Sequence, residues 1–280
     1  GPGVGHVAAL GAEQRPRHLL PAGAVERPEH DRACRGEGVD VVQDRRVRGQ
    51  HVGGVHDHAL GHAVAQRRDE VLDLLARNRD HRKLGAAYEA GFFDDLVVPF
   101  RGLKRDGFLR ADSTIEKLSS LKPAFDKTSG QGTLTAGNST GLSDGAAAVL
   151  LASDEWAASR GLSIQAYLTH AQVSAVDFVH GEGLLMAPTV AVPRMLKQAG
   201  LTLQDFDFYE IHEAFAAQVL CTLRAWESDD YCRNRLGLDG PLGSIDPAKL
   251  NVNGSSLASG HPFAATGARI VATLAKMLEQ

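Results

Sequence analysis

The stretch Asn251-Val-Asn-Gly-Ser-Ser-Leu-Ala-Ser-Gly-His-Pro-Phe-Ala-Ala-Thr-Gly267 places His261 between a glycine and a proline. The small residues on either side allow backbone or a ligand to approach the ring closely, and Pro262 keeps His261 out of helical geometry. Beyond this turn, apolar residues recur at helical spacing at Ile270, Leu274, Met277 and Leu278. Because histidine titrates near neutrality, a histidine held on a stiff strand-to-helix turn is suited to acid/base chemistry.

Two further segments contain candidate site residues. His212 stands in Glu210-Ile-His-Glu-Ala-Phe-Ala216, and Thr135-Ala-Gly-Asn-Ser-Thr-Gly-Leu-Ser-Asp-Gly-Ala-Ala-Ala148 is rich in small and turn-forming residues. With the Gly-His-Pro stretch they resemble, in the same order, the coenzyme A segment, the Asn-Glu-Ala-Phe motif and the Gly-His-Pro motif of the thiolase family. The resemblance covers about residues 82–280. Histidine at 212, in place of the usual asparagine, is similar to the trifunctional β-subunit type of thiolase.

Helix and strand signals alternate after residue 83, which indicates an α/β layered fold. Helices are predicted at 84–90, 154–160, 193–199, 214–225, from 229 onward and at 269–278, and strands at 96–100, 146–151, 164–173 and 206–211. The resemblance implies the thiolase architecture, layered αβαβα, which we expect to be incomplete at both ends. It assigns 83–141 to the remainder of the loop domain, 142–163 to the end of the N-terminal half and 164–280 to a truncated C-terminal half.

Residues 1–82 are left unassigned because their composition differs abruptly from the rest. They contain no Ser, Thr, Lys, Ile, Phe, Tyr, Trp or Met, and they hold thirteen arginines and eight of the twelve histidines. Ser and Lys are common in ordinary domains, so the segment is interpreted as read out of frame or disordered. An arm that binds nucleic acid or metal is a poorer interpretation, since acidic residues nearly balance the arginines.

Charge and cysteine usage exclude several classes of protein. A net charge of −4 gives no reason to expect nucleic-acid binding. No run of about 18 apolar residues predicts a membrane span, and no signal-peptide pattern opens the chain. The three cysteines, Cys34, Cys221 and Cys232, have neither disulfide nor zinc spacing. We therefore expect no metal site and a cytoplasmic location.

The resemblance implies roles for six residues. His261 would activate the nucleophile and donate to a thioester oxyanion, and His212 would hold a water for the same oxyanion. Coenzyme A would contact Thr140 and Ala136, and the substrate pocket would include Phe215 and Pro262. Each residue also has a plainer interpretation. A lone histidine is commonly a hydrogen-bonded core residue, and Thr140 could simply belong to a turn.

The implied activity is thiolytic cleavage of a 3-ketoacyl-CoA to acetyl-CoA and a shortened acyl-CoA, in fatty-acid β-oxidation, by covalent catalysis. Coenzyme A is then a co-substrate, and no permanently bound cofactor is expected. Expected partners are a second copy in a homo-oligomer and an α-subunit of a β-oxidation complex.

The surroundings of Cys34 do not match the family's nucleophile, and no second cysteine motif follows. The chain as it stands is therefore expected to be inactive. Two alternatives stay open: a non-catalytic acyl-CoA- or lipid-binding thiolase-like protein, and a decarboxylating ketoacyl synthase, which pairs two histidines with its cysteine.

Overall fold

The computed structural model describes residues 77–130, 132–181 and 183–280. These ranges hold seven α-helices: α1 (Arg77–Glu89), α2 (Ile115–Ser119), α3 (Asp154–Ser159), α4 (Pro188–Ala199), α5 (Ala216–Glu227), α6 (Ser256–Ser259) and α7 (Ala264–Glu279). Short 3-10 turns lie at Leu203–Asp205 and Pro247–Lys249, and a π-helical turn lies at Tyr231–Arg235. The prediction for residues 1–82 falls almost wholly outside the described residues.

Local capping chemistry explains where several helices end. Ser153 accepts a hydrogen bond from Trp156 N at 3.2 Å and begins α3 as predicted. Gly200, at φ 67°, ends α4 as predicted. The predicted start of α4 at Pro193 is wrong: the helix begins at Pro188, because a proline with its fixed φ favours a first turn there. Helices α1 and α7 also begin earlier than predicted.

Two clusters of buried apolar residues stabilise the described structure. The larger joins α4 and α5 to the chain around 203–211 and 245–257, with Trp226 and Leu203 almost completely buried. In the smaller cluster, Leu84 of α1 and the adjacent Phe92 and Phe93 pack with Ala258 and Met277. Helix α1 thus packs against α6 and holds it in place. No helix in the described ranges is long and apolar enough to cross a bilayer.

Extended segments of the described chain pair through isolated bridges. Tyr209 pairs in parallel with Leu250, so the predicted 206–211 strand is represented by a single bridge. Phe100 pairs with Leu103 across a tight turn, instead of forming the predicted edge strand at 96–100. The bridges that matter for the site join Leu142 to His261 in parallel and Ser139 to Phe215 in antiparallel.

The predicted strands at 146–151 and 164–173 are wrong for the described structure. Neither segment forms a bridge, and Leu150, Leu151, Leu168 and Val173 are each at least 64% exposed. An apolar run is typical of a buried strand, but burial requires partner strands, and the described residues supply none at these segments. We refer to residues 146–151 and 164–173 together as the exposed apolar segments.

Candidate active site

The two histidines singled out from the sequence lie against each other. Their ring centroids are 4.1 Å apart and the rings are tilted by 42°. His261 is only 8% exposed, and His212 is half-buried. At Gly260, φ is 94° and a β-carbon would meet Ser143 Oγ at 2.7 Å. Glycine is therefore required for the chain to bring His261 to this position.

A single extended segment, residues 138–143, aligns the two histidine-bearing segments. Next to His212, the Thr140 N–H donates to Ala214 O at 3.0 Å. The His261 N–H donates to Gly141 O at 2.9 Å. Because both histidine segments bond to the same short stretch of backbone, the separation of the two rings is set by main-chain hydrogen bonds.

The ring of His261 is fixed by the first turn of α7. Its Nδ1 lies 2.8 Å from Thr266 Oγ1, and the ring of Phe263 lies 4.7 Å away, centroid to centroid. Phe263 adopts φ 30°, a conformation that costs a non-glycine residue on the order of 1–3 kcal/mol. Since Thr266 occupies Nδ1, any proton transfer by this ring would use Nε2. Local strain at such a turn is typical of a functional site.

The ring of His212 is fixed by α6. Its Nδ1 lies 2.7 Å from Ser256 Oγ, and Arg269 donates to the same oxygen at 2.8 Å. The carbonyl of Ser256 accepts the Thr140 hydroxyl at 2.6 Å. Ser256 is fully buried, so one residue joins three groups of the site with little competition from water.

Hydrogen bonds to two buried carboxyl groups hold α6 and the loop before it in place. Asp80 of α1 accepts from Ser255 N at 2.7 Å and from Ala258 N at 2.8 Å. Glu213 accepts from Asn251 Nδ2 at 2.8 Å. Burial raises the pKa of both carboxyl groups above their ordinary values. These hydrogen bonds hold the loop that leads to His261, so Glu213 has a structural role.

The other predicted site residues have differing environments. Phe215 meets Phe125 edge to face at 5.7 Å, and Pro262 packs against Gly145. Ala136 is exposed in a turn stabilised by a hydrogen bond from Thr135 N to Asn138 Oδ1. The structure thus connects Thr140 to His212 through Ser256. The coenzyme A and pocket roles of these residues stay predictions.

Three residues of this site were missed by sequence reasoning: Ser256, Thr266 and Arg269. Each is ordinary as a residue type, and the sequence places them five before, five after and eight after His261. The only available signal was the Ser255-Ser256 pair ahead of a short apolar run, which is typical of a helix start. Ser256 and Thr266 contact the rings, and Arg269 contacts Ser256, through tertiary packing of α6 and α7 that no local sequence pattern indicates.

Neither cysteine of the described residues is prepared for nucleophilic attack. Burial raises the pKa of the Cys221 thiol to about 11, so its thiolate is disfavoured at neutral pH. The Cys232 thiol is buried and donates to Trp226 O at 3.4 Å. Cys34 lies outside the described residues. The described chain also contains no His/Cys/Asp/Glu group suited to a metal ion. What the described residues bring together is a pair of hydrogen-bonded histidines.

Comparisons with known proteins identify a family for this chain. The family model "Thiolase, N-terminal domain" matches residues 37–155, and "Thiolase, C-terminal domain" matches 162–280. The first match begins inside the segment left unassigned from the sequence. The domain boundaries inferred from the sequence stay predictions.

Relatives of this chain include 3-ketoacyl-CoA thiolases of Pectobacterium atrosepticum and Yersinia enterocolitica. They are 45% and 42% identical over 72% and 71% of this chain. The matched region is 46% of each relative, so the chain spans about half the length of the curated relatives it matches.

Solved structures show the same likeness. Bacillus anthracis acetyl-CoA acetyltransferase superposes with a TM-score of 0.57 at 33% identity, covering 79% of this chain and 52% of the other. Human mitochondrial 3-ketoacyl-CoA thiolase superposes with a TM-score of 0.57 at 29% identity. The superposition covers 77% of this chain and 51% of the human one. These neighbours confirm the predicted thiolase-like fold. With matches to both family models and with its histidine pair assembled, the chain belongs to the thiolase family.

Proposed function

We propose that the whole protein is an acetyl-CoA C-acyltransferase that cleaves 3-ketoacyl-CoA with coenzyme A in fatty-acid β-oxidation. The observation that carries this proposal is the packed pair of His212 and His261, whose ring centroids are 4.1 Å apart. Relatives named 3-ketoacyl-CoA thiolase support the same activity.

The reaction requires one thiolate, one acid and one oxyanion site. A cysteine thiolate attacks the 3-keto carbonyl, the C2–C3 bond breaks, and acetyl-CoA leaves as a carbanion that a second cysteine protonates. The thiol of a new coenzyme A then takes the acyl group. His261 would move the thiol proton through Nε2 and donate to the thioester oxyanion, while His212 would hold a water for that oxyanion. Both thiols lie outside the residues that form the described site.

The remaining assignments belong to the same proposal. Thr140 and Ala136 would contact coenzyme A, which acts as a co-substrate, and Phe215 and Pro262 would border the acyl chain. The proposed assembly is a homo-oligomer that also binds an α-subunit of a β-oxidation complex. A cytoplasmic location is supported by Cys221 and Cys232, which are not joined in a disulfide.

The packed pair of His212 and His261 also favours a second candidate, a decarboxylating ketoacyl synthase. Such an enzyme pairs two histidines with its cysteine. The two functions differ in the second substrate. A thiolase consumes coenzyme A and releases acetyl-CoA, whereas a synthase consumes a malonyl thioester and releases carbon dioxide. Supplying each co-substrate separately to the whole protein distinguishes them. Binding of acyl-CoA without turnover of either would favour the non-catalytic alternative.

The test of the proposed function is thiolysis by the whole protein, followed as loss of the 3-ketoacyl enolate absorbance when coenzyme A is added. We expect His261→Ala to lower kcat/KM by roughly 10²–10⁴, the contribution of a general base. His212→Ala is expected to cost about 10²–10³, as for one oxyanion donor. His170→Ala changes an exposed histidine and serves as the control. Near-normal rates in both site variants would contradict the assignment.

A further inference from the structure

We propose that Arg269 and Ser256 are positioning residues that hold His212 as its Nε2–H tautomer. The tautomer follows from the hydrogen bonds of the described residues. Only the use of the resulting donor, at a thioester oxyanion, rests on the proposed function.

The direction of the first hydrogen bond is fixed by chemistry. A guanidinium has N–H donors and no acceptor. The Arg269 nitrogen that lies 2.8 Å from Ser256 Oγ must therefore donate to it. The hydroxyl of Ser256 keeps one hydrogen of its own, which needs an acceptor because the side chain is fully buried.

That acceptor is His212. Its Nδ1 lies 2.7 Å from Ser256 Oγ, and it is the acceptor that the described residues offer within reach of this hydroxyl. If Nδ1 carried a hydrogen, the serine oxygen would receive two donors and its own hydrogen would be left unbonded in the protein interior. Nδ1 therefore presents its lone pair, and the ring hydrogen is at Nε2.

The arrangement also disfavours a doubly protonated ring. Arg269 is positively charged and one hydroxyl away from Nδ1, so a second positive charge on the imidazole would be repelled. His212 thus presents a donor at Nε2, beside the ring of His261 at 4.1 Å between centroids. The opposite tautomer would present a lone pair at Nε2, which repels an oxyanion and could only accept a hydrogen bond from a bridging water.

Nuclear magnetic resonance of the full chain labelled with ¹⁵N-histidine tests this directly. Long-range ¹H–¹⁵N spectra at neutral pH show which ring nitrogen carries the hydrogen, and His212→Asn assigns the signals of residue 212. We expect Nε2–H in the unmodified chain. In Ser256→Ala the Nε2–H fraction should fall to that of an unconstrained imidazole, with both tautomers populated.

Ser255→Ala is the matched control. Ser255 is the adjacent serine, equally buried, and its hydroxyl has no hydrogen-bond partner among the described residues. Its removal should leave the His212 signals unchanged. Arg269→Met is the second variant: without the guanidinium, the Ser256 hydroxyl is able to accept from Nδ1–H, so a mixture of tautomers is again expected. A cooperative thermal melt verifies that each variant is folded.

An Nδ1–H tautomer or an imidazolium in the unmodified chain would overturn the proposal. So would an Nε2–H fraction that is as high in a folded Ser256→Ala or Arg269→Met variant as in the unmodified chain. The spectra need no substrate, which separates this inference from the proposed function. An Nε2–H tautomer in a protein without thiolysis would leave the inference standing and remove the function.

Discussion

At the scale of the residue, Thr140 is the clearest case in which binding and stability must be separated. Its hydroxyl donates to Ser256 O at 2.6 Å, so Thr140→Ala should cost about 0.5–1.5 kcal/mol of stability. If the side chain also contacts the pantetheine arm, the KM for coenzyme A should rise while kcat stays nearly unchanged. Melting temperature and KM measured on the whole protein, with the exposed Thr169→Ala as control, distinguish the two effects. A lower melting temperature with an unchanged KM would remove the coenzyme A contact.

Glu210 is expected to make stability depend on pH. It is fully buried, its carboxylate has no hydrogen-bond partner among the described residues, and burial raises its pKa from 4.5 to about 8. Asp80 acts in the same direction, whereas Arg269 and Lys83 oppose it. A folded state that keeps this proton is favoured fully below the unfolded pKa, and the advantage is lost as pH rises toward 8, by up to about 1.4 kcal/mol per pH unit.

Glu210→Gln should therefore flatten the decline of melting temperature between pH 4.5 and about 8 and stabilise the chain at the upper end. Thermal unfolding monitored across this range checks the expectation. Glu89→Gln, at an exposed position of α1, should leave the pH profile unchanged. An identical slope in the Glu210 variant and the unmodified chain would show that this carboxyl group does not hold its proton in the folded state.

At the scale of the element, replacing glycine with alanine should have opposite effects on stability at two positions. Gly85 lies inside α1 and Gly200 ends α4 at φ 67°, and a β-carbon at either position meets no atom within 4 Å. Gly85→Ala should stabilise by roughly 0.5–1 kcal/mol through helix propensity. Gly200→Ala should destabilise by about 1–2 kcal/mol because of its left-handed conformation. Urea unfolding of both variants measures the pair, and effects of equal sign would contradict the backbone argument.

The features of the fold and site that could be predicted from sequence are those determined by residues close together in the chain. The start of α3 at Ser153 and the end of α4 at Gly200 follow from nearest-neighbour chemistry, and both were predicted. The pairing of His212 with His261 could be expected only through motifs, since the two are far apart in the chain. The contact of Ser256 with His212 depends on how α6 meets the 206–211 segment, which no local pattern encodes. The strand prediction at 146–151 failed because pairing is a property of neighbours.

At the scale of the whole molecule, the exposed apolar segments should make the chain self-associate. Leu150 is 70% exposed and Leu168 is 64% exposed, and large apolar side chains exposed in this way favour association. The double variant Leu150→Lys, Leu168→Lys should lower light scattering and binding of a hydrophobic dye at equal concentration. Ser159→Lys adds a charge at an exposed polar position and serves as the control. A chain that is monomeric and binds no dye would contradict this prediction.

A second expectation at this scale concerns the isolated chain. It should not cleave acetoacetyl-CoA or longer 3-ketoacyl-CoA, because neither Cys221 nor Cys232 is activated and the surroundings of Cys34 do not resemble a nucleophile motif. The enolate absorbance with coenzyme A present should stay constant. Turnover that disappears in Cys34→Ala would show that Cys34 had been misjudged.

The long-range hydrogen bonds around α6 also determine when the site forms during folding. Asp80 and Ser255 are 175 residues apart in sequence, and Thr140 and Ser256 are 116 apart. Closing loops of this length costs chain entropy before any contact is gained, so such contacts are established slowly and late. The helices around Trp226 can assemble from nearby sequence, but the two imidazoles meet only when distant parts of the chain have docked. A partly folded chain would thus be compact around α4 and α5 while its two histidines are still apart.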